Sequence, residues 1–205
     1  MLIKINRQDC LKKYPVFPLS NYNIAKDEEE FFYPVIFKNH ILTLSSKSFR
    51  GHIKQLGIEL LKLTQELDFS TLIFLGDTGQ PWLHQDNDYK PAREAKEYLI
   101  ENKIGKHFNG ALQVDKSDLI TFTKHLSWLT RCNASLPLFY FIDGGQQLIG
   151  NICKYGNLHI DTLNRTADNI LKNAIDKCNF KYLEGNGCYN QFGKTSAISG
   201  RQTIV

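Results

Sequence analysis

The chain has 205 residues, 42% of them hydrophobic and 22% charged, with 25 basic against 21 acidic side chains and a net charge of +4. This composition excludes a disordered chain, a collagen-like repeat and a coiled-coil rod, and the length suffices to bury a core without disulfide or metal staples. No apolar run reaches the roughly 18 residues of a membrane span, and the start Met1-Leu2-Ile3-Lys4-Ile5-Asn6 turns polar too soon for a secretory signal. The expectation is therefore one cytoplasmic domain over 1–205, with no membrane partner.

Residues 1–30 read as an irregular segment, with Pro15, Pro18 and an acidic run Asp27-Glu28-Glu29-Glu30 that suits a solvated turn. Phe31 to Phe37 and Ile41 to Leu44 read as strands. Phe49, Ile53, Leu56, Leu60, Leu63 and Leu67 then recur at steps of three and four, one apolar stripe on a helix that Ser48 can cap. Thr71 to Leu75 is a short apolar strand leaving into Gly76-Asp77-Thr78-Gly79.

Pro91 suits the first turn of a helix running to Lys103. Ala111 to Val114 reads as a strand, and Ser117 caps a helix striped by Leu119, Phe122, Leu126 and Leu129. Leu136 to Ile142 is another near-continuous apolar strand. Strands alternating with helices favour crossover connections and a partly parallel sheet.

Beyond Asp143-Gly144-Gly145 the pattern changes to an antiparallel meander, Leu148 to Tyr155 and Leu158 to Leu163 about a turn at Gly156-Asn157. A helix follows on Ala167, Ile170, Leu171, Ala174, Ile175 and Cys178, then a strand from Phe180 to Leu183. Residues 186–205 read as a loop-like tail. The expected fold is thus α/β or α+β, a single domain with a mixed sheet, partly parallel and partly antiparallel, flanked by helices.

The five cysteines, Cys10, Cys132, Cys153, Cys178 and Cys188, are odd in number and form no C-x-x-C pair. That spacing disfavours a disulfide framework or a structural zinc site, and most read as small buried hydrophobes. No cofactor is expected.

The loop after the Thr71–Leu75 strand gathers three carboxylates, an imidazole and a tryptophan: Asp77, Trp82, His84, Asp86 and Asp88. Trp is a common interface anchor, and carboxylates around it steer a basic partner. The leading expectation is a protein-binding module. Immunity-type inhibitors that cap a basic toxin nuclease are the analogous class, with these five residues as the binding surface.

The alternative is a small enzyme. His84-x-Asp86 resembles the first two iron ligands of 2-oxoglutarate oxygenases, with His125 or His159 as a third. That resemblance implies a metal set of His84, Asp86 and His159, but the family's short-strand β-helix differs from a chain that interleaves long helices. A second enzyme reading takes Cys153, His159 and Asp161 as thiol, base and orienter. A two-residue turn at Gly156-Asn157 would pair Tyr155 with Leu158 and Cys153 with Ile160. His159 would then sit opposite Lys154 and face away from Cys153, which favours a structural hairpin.

Cys188 to Thr195 ends in Gly-Lys-Thr as a P-loop does, but no helix pattern follows to cradle a phosphate. Arg50, His52 and Lys54 open the first long helix. Basic residues elsewhere are mixed with acids, so nucleic-acid binding ranks third.

Overall fold

The computed structural model describes residues 2–183, 187–193 and 197–202. The chain opens with strand β1 (Ile3–Ile5) and a short helix α1 (Arg7–Lys13), where the Asn6 side chain accepts the Gln8 and Asp9 amides. A hairpin of β2 (Leu19–Asn23) and β3 (Glu28–Phe32) follows. The first 30 residues, expected to be irregular, therefore carry several elements. Each is too short to display a period in the sequence.

The remaining elements are β4 (Lys38–Thr43), α2 (Phe49–Glu66), β5 (Thr71–Gly76), α3 (Lys90–Glu101), β6 (Ala111–Asp115), α4 (Lys116–Cys132), β7 (Phe139–Asp143), β8 (Leu148–Ile152), β9 (Leu158–Thr162), α5 (Arg165–Ile175) and β10 (Lys181–Tyr182). The Phe49 stripe forms as expected. Ser48 Oγ accepts the Gly51 amide at 3.2 Å, and Phe49, Ile53, Leu56, Leu60 and Leu63 are buried. Burying each of these apolar side chains is worth about 1.5–3 kcal/mol. At the start of α4 the cap position falls on Asp115 rather than Ser117.

Eight strands form one sheet in the order β1-β6-β5-β7-β8-β9-β4-β10, and every neighbouring pair is antiparallel. The expected mixed sheet is thus replaced by an α+β arrangement with no parallel ladder between named strands. The helical crossovers do exist. α4 carries the chain from β6 to β7, which point the same way, but β5 lies between them and is antiparallel to both.

The apolar strands misled for a second reason: both sheet faces are covered. On β5, Leu72 and Phe74 join the core beneath α2, α3, α4 and α5. Ile73 and Leu75 pack on the opposite face with Cys10, Tyr14 and Phe17. A strand buried on both faces loses its alternation whichever way its neighbours run. No helix among the described residues is long and apolar enough to cross a membrane.

Candidate functional site

The β8–β9 connection is where the structure departs most usefully from the expected hairpin. Leu158 pairs with Ile152 rather than Tyr155, and His159 pairs with Asn151 rather than Lys154. The turn is a five-residue loop, 153–157, closed by Cys153 N–H to Asn157 O at 3.0 Å and Gly156 N–H to Cys153 O at 2.8 Å. Moving the register by three residues, an odd number, exchanges the faces on which side chains meet. Cys153 leaves the ladder, and its sulfur comes to the His159 ring.

Gly156 makes this loop possible. Its φ is +85°, and an added Cβ would lie 3.0 Å from the rings of Phe49 and His52. His52, read from sequence as part of a basic cluster, turns inward to the Gly156 carbonyl at 2.8 Å. The Arg131 guanidinium donates to Lys154 O at 3.1 Å and covers the Phe49 ring at 3.9 Å.

The third member arrives from the C-terminal tail. Cys188 Sγ lies 3.2 Å from His159 Nε2. The ligand atoms of Cys153, His159 and Cys188 all fall within 4.8 Å of one another. The tail is pinned beyond Cys188 by Gln191, which donates to Thr43 Oγ1 at 2.8 Å and Asn157 Oδ1 at 3.2 Å. Phe192 packs on Phe49 and His52. Further on, Arg201 donates to the Thr130 and Arg131 carbonyls at the end of α4, and Gln202 bridges to Asn133.

The two thiols differ sharply. A hydrogen bond with Cys153, and others with His159 and Asn157, pull the Cys188 thiol down to about 4 against the opposing effect of burial. Cys153 is pushed far up by the same bond to Cys188 and by burial. All three residues line a cavity of about 490 Å³ with apolar walls from Ile41, Leu136, Pro137, Leu138 and Tyr155, and with Lys154 and Arg201 as its cations.

His159 also lines a second, polar cavity of about 200 Å³, with Asp161, Asn151, Tyr33 and Tyr140. The Asp161 carboxylate accepts from the Tyr33 hydroxyl and from Asn39 Nδ2 at 2.5 Å. Of the sequence-derived trio, Cys153 and His159 come together, while the hydrogen bonds of Asp161 go to Tyr33 and Asn39. Cys188 was missed as a partner, because only the tertiary path of the tail brings it to His159. The P-loop-like run that contains it extends to residues 194 and 195, outside the described residues.

The Gly76–Asp88 loop is built differently from the expected binding surface. Trp82 is 1% exposed, stacks on Phe139 at 4.0 Å between ring centres and donates its Nε1 proton to Gly110 O at 2.8 Å. It is a core residue rather than a surface anchor. Asp77 accepts the Leu138 amide at 3.0 Å, and burial raises its pKa. His84 and Asp88 are exposed, and Asp86 pairs with Lys96.

His84 and Asp86 join no cluster with His159. Among the described residues, Cys153, His159 and Cys188 are the one group of three His, Cys, Asp or Glu at mutual ligand distance. His125, the other proposed third ligand, is buried against Tyr98 at 4.3 Å between ring centres.

No protein-family model matches the chain, and neither a search of curated proteins nor one of solved structures finds a match. Function must therefore be read from the site itself.

Proposed function

We propose that the protein holds a zinc-class divalent ion between Cys153 Sγ, His159 Nε2 and Cys188 Sγ, and acts as a metal-assisted hydrolase on a small molecule entering the adjoining cavity. One observation carries this reading: three soft donors from two distant chain segments meet within 4.8 Å at a cavity wall, and no fourth such residue among the described ones joins them. Two thiols and an imidazole suit zinc, and three protein ligands leave the fourth tetrahedral position for water or substrate. When bound, the ion would supply Lewis-acid polarisation of a carbonyl or phosphoryl oxygen and an activated water. The apolar wall would take the body of the substrate, and Lys154 with Arg201 would favour an anionic group on it.

A second reading makes Cys188 a nucleophile with His159 as its base, favoured by the 3.2 Å contact between them. The protein-binding reading keeps only the exposed carboxylates of Asp86 and Asp88, since its aromatic anchor lies in the core.

Metal analysis of the purified chain, followed by zinc titration, separates these. The metal reading expects one zinc per chain, with affinity falling about 100-fold or more in Cys188→Ser and His159→Ala while circular dichroism stays unchanged. Absence of zinc binding, together with rapid one-to-one alkylation of Cys188, would replace it with the thiol reading.

A further inference from the structure

Away from the cysteine–histidine corner, a cavity of about 390 Å³ opens where the first turns of α2 and α3 meet the middle of α4. Its floor is apolar, made by the buried side chains of Ile53, Pro91 and Trp128. Its rim is cationic, made by the exposed side chains of Arg50, Lys54, Lys90 and Lys124. The single carboxylate there is Glu94, which sits 3.9 Å from Lys90 in an i, i+4 pair.

Arg50, Lys54 and Lys124 have no ion-pair partner among the described residues. Neither α2 nor α3 places an acidic residue in its first turn, so the positive ends of both helix dipoles add to the same field. Like charges gathered on one concavity repel each other and destabilise the fold unless an anion offsets them. The sequence alone shows only Arg50 and Lys54 together. Lys90 and Lys124 come from other helices and are assembled by the α2–α4 and α3–α4 packing.

We propose that this cavity binds a small phosphorylated molecule with a planar or apolar body, of the nucleoside diphosphate class. The diphosphate offsets the rim, four cations less one carboxylate, while the body displaces water from Ile53, Pro91 and Trp128. The volume falls within the roughly 300–1,000 Å³ of small-molecule sites. A bound single strand would instead need a groove that tracks its backbone.

Isothermal titration calorimetry of the intact chain with ADP and with pyrophosphate, at low and high salt, tests this. Repeating it in Cys188→Ser keeps the result independent of the metal centre, because diphosphates also chelate divalent ions. One ADP per chain is expected, bound about tenfold or more tightly than pyrophosphate, since the apolar body adds at least about one factor of ten. Lys54→Ala and Lys124→Ala should each weaken ADP about fivefold or more and flatten its salt dependence. Both lysines are exposed, so circular dichroism should not change.

Four outcomes would overturn the proposal. ADP does not bind. Pyrophosphate binds as tightly as ADP. The lysine variants leave ADP affinity unchanged. A single-stranded oligonucleotide binds more tightly than ADP and is lost in the same variants.

Discussion

Two polar loops of this protein differ in what their polar groups meet. The Gly76–Asp88 loop is rich in carboxylates and carries a tryptophan, yet much of it is a bracket. Gln85 accepts the Ser135 amide and donates to Gln202 O, while Asn87 donates to Cys132 O, Asn133 Oδ1 and Gly200 O. These bonds fasten the C-terminal tail to the end of α4. The 153–157 loop looks like a plain hairpin turn, yet it presents Cys153 to His159 and to the Cys188 that the fastened tail delivers. Polar composition reports that a segment needs hydrogen bonds, and it does not report whether water or protein supplies them.

The comparison breaks most visibly at Trp82. Trp82→Ala should destabilise the fold by about 3–5 kcal/mol in urea denaturation, because it empties a packed site and strands the Gly110 carbonyl. A loss below about 0.5 kcal/mol would return Trp82 to the surface and restore the loop as an interface.

Acid should act next, on the helical layer. Burial, aided by Lys124 and opposed by Glu94, lowers the His125 pKa from 6.5 to about 4. The unfolded chain then binds a proton that the folded one refuses. Stability should therefore be full above pH 6.5 and fall as pH drops toward 4, by about 1.4 kcal/mol per unit and on the order of 3 kcal/mol in all. His52, also lowered by burial, adds in the same direction. His125→Gln should flatten the pH dependence of the urea midpoint, and an unchanged slope would contradict the assignment.

Asn87→Ala sharpens the link between the two loops. It should cost on the order of 1–3 kcal/mol by taking the donor from Asn133 Oδ1 and the Gly200 carbonyl, and it should also weaken zinc binding at the proposed site, to which it contributes no ligand. Destabilisation with unchanged zinc affinity would sever the bracket from the centre. The smallest effect belongs to the carboxylates. Asp86→Asn with Asp88→Asn should stay within about 0.5 kcal/mol of the parent in thermal melts, because both side chains are exposed.

The legible parts of this fold were those encoded over short distances. The Phe49 stripe, its Ser48 cap, the Pro91 helix start and the Ala167, Leu171, Ala174 and Ile175 part of the α5 stripe each declare themselves within a few turns, whereas Ile170, expected on that stripe, is exposed and Cys178 lies beyond the helix. Strand direction did not, because a crossover helix looks the same whether or not β5 slips between the strands it connects. For the candidate site, Cys153 and His159 could be singled out together, but the turn length decided their faces, and Gly156-Asn157 resembles a shorter turn than the one formed. The cysteine spacing gave no sign of the Cys153–His159–Cys188 cluster, because its members are divided between one loop and a distant tail, which no local motif records.

The most direct test of the proposed metal centre is zinc K-edge absorption of the chain loaded with one equivalent of zinc. Two sulfur neighbours at about 2.3 Å, with nitrogen and oxygen at about 2.0–2.1 Å completing four-coordination, are the expected shell. A shell of nitrogen and oxygen alone, or one unchanged by Cys188→Ser, would contradict a centre built from Cys153, His159 and Cys188.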